Sequence, residues 1–198
     1  MNKLALLVFS VFFVLSCNKK EVQVNLLSPG ISLDLARYRK QQVANVVYNL
    51  SFKIPQNKSE PIAAQLDLDL QIKNIEQPLY LDFNEESSHL KSVLVNDTQI
   101  TINHQKEHVI IDSKDLTIGA NVVTILFDAG ELSLYRNDDY LYTLLVPDRA
   151  STLIPCFDQP DIKGHYVLDI TAPKDCEVLC GSNIELKEAE GDIVRHKF

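Results

Sequence analysis

Two histidines four residues apart form the pattern in this sequence that most resembles a metal site. His104 and His108, in the run HQKEH, match the HxxEH motif, in which two histidines one helical turn apart share a zinc ion. That chemistry requires a helix, but strand-like apolar runs at 100–102 and 109–111 flank the motif. We therefore predict a solvated polar hairpin turn in which the two side chains hold no metal.

No other catalytic constellation stands out in the 198 residues. The sequence has neither a glycine-rich phosphate loop nor a Gly-x-Ser-x-Gly nucleophile motif. Two pairs of neighbouring carboxylates, Asp67 with Asp69 and Asp138 with Asp139, suit a solvated strand face and a turn. We predict no catalytic residue, no metal ligand and no cofactor in this chain.

The secondary-structure elements predicted from the sequence, which would position any functional residues, are mostly β-strands. Residues 65–73 alternate between apolar and polar side chains, which is typical of a half-buried strand. Ser32 is placed to cap a short helix, with residues 40–42 as its wet face. Further strands are predicted at 46–54, 79–83, 90–95, 100–103, 108–112, 121–127, 140–146, 166–172, 177–180 and 193–198. The pattern predicts an all-β, mainly antiparallel sandwich or saddle-shaped domain with one short N-terminal helix.

The first residues have the pattern of an export signal. Lys3 precedes an apolar run at 4–16 that is too short to span a bilayer comfortably. The run ends at Cys17 and resembles a bacterial lipoprotein signal, whose cysteine becomes lipidated; a plain secretory signal or an uncleaved anchor is the alternative. We predict a chain lipid-anchored in the bacterial cell envelope, periplasmic or at the outer membrane. Its predicted parts are a signal peptide at 1–16, a tether at 17–31 and a β domain at 32–198.

The amino-acid composition limits which classes of partner and which disulfide bonds are expected. The 19 basic and 27 acidic residues give a net charge of −8, which argues against a nucleic-acid partner. Of the four cysteines, Cys17 is assigned to the lipid. Cys176 and Cys180 would lie roughly 13 Å apart in a strand, beyond disulfide reach. A pair between Cys156 and one of these, or free buried thiols, both stay open.

Residues 146–166, VPDRASTLIPCFDQPDIKGHY, separate two apolar runs and hold three of the eight prolines. Because proline fixes its own backbone and restricts the preceding residue, Pro147, Pro155 and Pro160 predict a rigid, irregular connection. Long ordered loops are often functional or interfacial, although composition alone favours a buried structural crossover. We name residues 146–166 the signature segment.

The signature segment resembles a marker of the aminopeptidase N family, zinc metallopeptidases of the gluzincin type. The family writes it approximately as A-R-x-x-F-P-C-x-D-x-P-x-x-K-A-x-F. Residues 134–137 and 181–183 resemble two further family segments in the correct order. The positions in register are Ala150, Pro155, Cys156, Asp158, Pro160, Lys163 and Tyr166.

The resemblance implies a saddle-shaped N-terminal β domain that borders the cleft of a catalytic domain. In the family, that following domain carries a GxMxN motif and an HExxH motif with a downstream glutamate, which bind zinc and activate water. Neither motif occurs in residues 1–198. We therefore expect a noncatalytic, C-terminally truncated first domain of an exported zinc aminopeptidase. Its partners are the catalytic domain of the same polypeptide and, through that domain, peptide substrates. The implied framework positions are Pro155, Cys156, Asp158, Pro160 and Lys163.

One position departs from the family pattern. Relatives commonly carry glutamate or glutamine just before the proline that precedes the block, where it contacts the α-amino group of the substrate. Here that position is Val146, so either amine recognition rests on the catalytic domain alone or the register shifts by a few residues. Ser151 replaces the family's arginine. Val146, Asp158 and Gln159 are the candidate residues bordering the substrate cleft. The alternative function is a stand-alone lipid-anchored β domain that binds a protein or peptide partner without catalysis.

Overall fold

The computed structural model describes residues 26–198, so the predicted signal peptide, Cys17 and most of the tether lie outside the described residues. Helix α1 (Leu33–Gln42) begins at Ser32, whose side chain accepts a 3.1 Å hydrogen bond from the amide of Leu35. This confirms Ser32 as the cap. The prediction that residues 40–42 are solvent-exposed is wrong at Gln42. This side chain is buried, and its amide is satisfied by donating to the carbonyl of Gln77 at 3.0 Å.

Strands make up most of the rest of the described chain. Their bounds are β1 (Val43–Lys53), β2 (Ala63–Ile72), β3 (Leu79–Asp82), β4 (Leu90–Val95), β5 (Thr98–Ile100), β6 (His104–Gln105), β7 (His108–Ile111), β8 (Gly119–Asp128), β9 (Leu134–Arg136), β10 (Leu141–Thr143), β11 (His165–Pro173), β12 (Leu186–Glu190) and β13 (Ile193–Lys197).

These strands form an eight-stranded sheet, a three-stranded sheet and a two-stranded hairpin. The orders are β12-β13-β11-β1-β2-β8-β4-β5, β3-β7-β6 and β10-β9. Neighbouring strands pair antiparallel except β1 and β11, which run parallel. The predicted all-β, mainly antiparallel fold is confirmed.

One hydrophobic core combines alternate residues of the two larger sheets. Leu66, Leu68 and Leu70 project from β2, and Leu79 and Leu81 project from β3. All five are buried, and burying each such side chain is worth about 1.5–3 kcal/mol. The alternation predicted for residues 65–73 therefore has its apolar face in this core.

The outer face of the three-stranded sheet is also covered. β3 and β7 are buried at every position, which a strand with one wet face would not be. Tyr80 and Ile110 pack there against Leu26 and Leu35 in a second, small core. The segment that precedes β1 therefore closes this side of the molecule.

Two strand predictions differ from the structure at the C-terminal edge. Residues 177–180 form no strand, and Leu179 is 86% exposed. The edge position is taken instead by β12, which pairs with β13 across a turn that contains Gly191 at φ 62°. The charged sequence of β12 gives no apolar alternation, because an exposed edge strand needs none and charges protect it from further pairing.

Among residues 26–198, no helix combines the length and the apolar character that a membrane crossing requires.

Candidate functional site

The HxxEH run forms the predicted hairpin but does not bring its histidines together. Lys106 and Glu107 make the turn with φ of 49° and 69°. His104 pairs with Val109, and Gln105 pairs with His108. Since neighbouring positions in a strand alternate between faces, the two imidazoles point to opposite sides of the hairpin.

The two histidines contact different parts of the chain. Nε2 of His104 lies 2.9 Å from the carbonyl oxygen of Phe83, and Nε2 of His108 lies 2.9 Å from that of Ser28. His108 is fully buried, so the predicted solvated turn is wrong at this residue, because the segment before α1 covers it. Within residues 26–198, no group of three or more His, Cys, Asp or Glu side chains could hold a metal ion.

His108 belongs instead to a buried ionic cluster centred on Asp82. Arg39 is fully buried, and its guanidinium binds the Asp82 carboxylate through both nitrogens, Nη1 to Oδ2 at 2.8 Å and Nη2 to Oδ1 at 2.6 Å. Nδ1 of His108 lies 2.9 Å from Oδ1. Burial alone would raise the pKa of Asp82, but the hydrogen bond with His108 and the positive charge of Arg39 outweigh it and hold that pKa below its ordinary value.

The signature segment is attached to this cluster at consecutive residues. Asp82 and Cys156 exchange backbone hydrogen bonds of 2.7 and 3.0 Å. The amide of Asp158 donates to Oδ2 of Asp82 at 2.9 Å, and the amide of Phe157 donates to the hydroxyl of Tyr48 at 3.0 Å. Burial raises the pKa of the Cys156 thiol well above its ordinary value, which suits a packing residue and not a reactive one.

Gln159 ties the same segment to α1. Its Nε2 donates to the carbonyl of Ala36 at 3.1 Å and to Oδ1 of Asp161 at 2.8 Å. Nζ of Lys40 donates to the carbonyl of Asp161. Gln159 is only 7% exposed, so its side-chain amide serves internal contacts.

The predicted framework positions divide into two groups. Pro155 and Cys156 are buried, and Asp158 is half-buried, with Oδ2 accepting the amide of Ser151 at 2.9 Å. Pro160 and Lys163 are exposed. The structure therefore holds Cys156 and Asp158 at Asp82, buries Pro155 and leaves Pro160 and Lys163 at the surface.

An open groove of about 880 Å³ runs between α1 and the signature segment. In the described part of the chain its lining includes Asp158 and Gln159 but not Val146, which is 69% exposed. The same lining carries both charges, from Arg37 and Lys40 as well as from the carboxylates. Of the three candidate cleft residues, Asp158 and Gln159 therefore line the groove, whereas Val146 lies outside it.

The β9–β10 hairpin presents a different kind of surface. Tyr135 and Tyr142 stack with ring centres 4.8 Å apart. Arg136, the next residue of β9, instead turns to the domain and donates to the carbonyl of Pro55 at 2.8 Å and to that of Glu60 at 3.1 Å. We name the exposed apolar side chains here and beside it the hairpin face: Leu132, Tyr135, Tyr140, Tyr142, Leu144 and Val146.

Sequence reasoning missed Arg39 and Asp82. One local signal was present, because Asp82 interrupts the apolar run LYLDF at 79–83. A carboxylate at the end of a buried strand requires a cationic partner. Nothing local indicates that this partner is Arg39, which lies 43 residues earlier.

Comparison with known families decides what this arrangement belongs to. The model of the peptidase M1 N-terminal domain matches residues 44–198. The chain belongs to this family. The match confirms the resemblance at the level of the N-terminal domain.

Solved structures of M1 enzymes have the same fold. The M1 zinc metallopeptidase from Deinococcus radiodurans aligns with a TM-score of 0.63 at 15% identity, over 80% of this chain and 39% of that one. A two-domain M1 zinc metallopeptidase mutant bound to L-arginine aligns at 0.62 and 13% identity, over 79% and 39%. The chain therefore spans less than half the length of these proteins. No curated protein sequence matches it.

Proposed function

We propose that this chain is the noncatalytic first domain of an exported zinc aminopeptidase that removes N-terminal residues from peptides. The observation that carries the proposal is the match of residues 44–198 to the M1 N-terminal domain. The solved M1 enzymes extend well beyond the region that this chain covers. The activity would then belong to a catalytic domain joined to this one.

Zinc has no ligand set among residues 26–198, so we assign it to the catalytic domain. The metal would supply a Lewis acid and an activated water there. The residues of this chain would shape one wall of the cleft. The cluster around Asp82 would hold residues 155–158 in place, and the hairpin face would pack against the catalytic domain.

The hairpin face supports this division of roles. Its exposed tyrosines and leucines offer apolar surface, and exposed apolar surface of this kind marks protein contacts where it is contiguous. Tyr140 and Tyr142 are 58% and 50% exposed, and aromatic side chains are enriched in interface cores. Contact with a catalytic domain would bury them.

The candidate cleft residues would then differ in role. Val146 offers only apolar surface, so it would contact a substrate side chain and leave the α-amino group to the catalytic domain. Asp158 carries a carboxylate at the groove, whereas Gln159 would support the wall through its bond to Ala36.

The direct test compares this chain with the complete gene product on aminoacyl chromogenic substrates, with zinc measured by elemental analysis. We expect hydrolysis and stoichiometric zinc for the complete product and neither for the isolated chain. Stoichiometric zinc on the isolated chain would contradict the proposal and return attention to His104 and His108. A reading frame without a zinc motif would favour the stand-alone binding domain.

We also propose lipid anchoring at Cys17 in the cell envelope, on the signal pattern of residues 1–16. Substituting Cys17→Ser should move the protein from the membrane fraction to the soluble envelope fraction. An unchanged distribution would refute the anchor.

A further inference from the structure

We infer that residues 26–42 form a clasp that positions residues 155–161 of the signature segment through the buried Arg39–Asp82 ion pair. The clasp precedes residues 44–198, which the family model matches. Arg39 is a positioning residue, since it acts on the segment and not on a reacting group. The positioning stands on the structure alone, and only its effect on catalysis rests on the proposed function.

The clasp is fixed to the three-stranded sheet at its hairpin turn and at the first residue of β7. The amide of Gly30 donates to the Glu107 carboxylate at 2.8 Å, and the carbonyl of Ser28 lies 2.9 Å from Nε2 of His108. The small outer core adds apolar contact between this segment and the sheet. Polar and apolar contacts therefore hold α1 in one place relative to β3.

Arg39 reaches the signature segment from that fixed helix. Its guanidinium carbon lies 5.7 Å from the centre of the Phe157 ring, a cation–π distance. Its Nη1 lies 3.5 Å from Oε1 of Gln159. Between these two residues, the amide of Asp158 is held by the carboxylate that Arg39 neutralises.

The charge balance makes the arrangement depend on Arg39. Asp82 uses Oδ1 for Arg39 and His108, and Oδ2 for Arg39 and the amide of Asp158. A buried carboxylate that loses its cation is strongly disfavoured and moves, takes up a proton or recruits water. Each of these responses weakens the acceptor that holds the Asp158 amide.

The geometry also distinguishes arginine from lysine. Arg39 binds both carboxylate oxygens through a planar fork, which an ammonium group cannot reproduce. Arg39→Lys would keep the charge but lose one of the two bonds. It should therefore loosen residues 155–161 less than a neutral substitution does.

The test is amide hydrogen exchange, read by mass spectrometry on the full chain. Arg39→Met should speed exchange of the Asp158 amide by at least about tenfold, the effect of losing a hydrogen bond to a charged group. Exchange of the neighbouring amides at 156 and 157 should also become faster. The amides of β2 and β8 in the large sheet should not change. Arg37→Met is the matched control, because Arg37 is exposed on the same helix, and it should alter neither set.

Two results would overturn the inference. Unchanged exchange at 156–158 would show that Arg39 does not position the segment, and equal acceleration in β2 and β8 would show that it only stabilises the whole domain. If Arg39→Met does not fold, Arg39→Lys decides by the same comparison: a loss of protection confined to 155–161 supports the clasp, and no loss or a uniform loss refutes it.

In the complete gene product, Arg39→Met and Arg39→Lys should raise KM for a peptide substrate and leave kcat unchanged, as expected when binding alone is weakened. A wild-type gene product without activity would refute the proposed function and leave the exchange result to decide the clasp. Suppose that the complete product is active and that the Arg39 variants speed exchange only at 155–161 but leave KM unchanged. The clasp would then have a role in the structure of the domain and none in substrate binding.

Discussion

The signature segment and the β9–β10 hairpin are neighbours in sequence but differ in what their side chains contact. Residues 156–158 are held by buried charges and hydrogen bonds around Asp82 and Tyr48. The hairpin turns half-buried Arg136 toward the domain and its tyrosines outward. In the first region polar groups are buried and paired, whereas in the second apolar groups are exposed and uncovered.

The two regions therefore have different roles, although both belong to the sequence pattern of the family. A buried network of paired polar groups fixes the geometry of the chain. Removing one partner leaves the other buried and unpaired, which lowers the stability of the fold. An exposed apolar face adds nothing to the stability of the isolated chain, and its contribution requires a partner. Substitutions in the two regions should therefore have different effects.

The largest expected effect is loss of the carboxylate at the centre of the network. Asp82→Ala leaves Arg39 buried without a counter-charge and removes the acceptor of the Asp158 amide. We expect the free energy of unfolding, measured by urea denaturation, to fall by about 3–5 kcal/mol. The exposed Asp148→Ala should stay within about 0.5 kcal/mol. Equal losses for both would show that the buried network around Asp82 has no special weight in the stability of the domain.

A smaller loss should follow when one neutral bond of the network is removed. Tyr48→Phe leaves the buried amide of Phe157 without its acceptor, and we expect a loss of about 1–3 kcal/mol. The control is Tyr140→Phe on the hairpin face, where the ring is 58% exposed; it should change stability by less than about 0.5 kcal/mol. The same urea midpoints measure both, and a larger effect at Tyr140 would contradict the comparison.

The smallest of the three effects is a pH dependence. The pKa of Asp82 is lower in the folded chain than its ordinary value, so the unfolded chain binds more protons in that range. The stabilisation is therefore present above the ordinary pKa and is lost as the pH falls through the folded pKa.

Urea midpoints at about pH 5 and about pH 3 check this dependence. The wild-type midpoint should fall between them by more than that of Asp82→Asn, which lacks the titrating group. Equal slopes would show that Asp82 is not the source of the acid sensitivity.

Local signals allowed much of the fold to be predicted from the sequence. Ser32 caps α1 through its own side chain, and β4 has the predicted bounds 90–95. Both depend on residues within one element. β12 was not predicted because it is an exposed edge strand, whose residues are mostly charged and show no alternation of apolar and polar side chains.

The candidate site was harder to predict because its partners are distant in the sequence. The motif around Cys156 indicated the correct segment, but the segment is held by Arg39 and Asp82, which no motif includes. The HxxEH spacing pointed to His104 and His108 as a pair, whereas strand pairing places them on opposite faces. Tertiary contacts, and not local chemistry, assign His108 to Asp82.

The proposed division of roles is tested most directly by amide hydrogen exchange of this chain alone and joined to the catalytic domain that we propose for the same polypeptide. If the hairpin face is the docking surface, the joined form should protect the amides of β9, β10 and residues 144–146. Residues 156–158, already held by the buried network, should exchange equally slowly in both forms. Protection that appears at 156–158 and not in the hairpin would contradict the account.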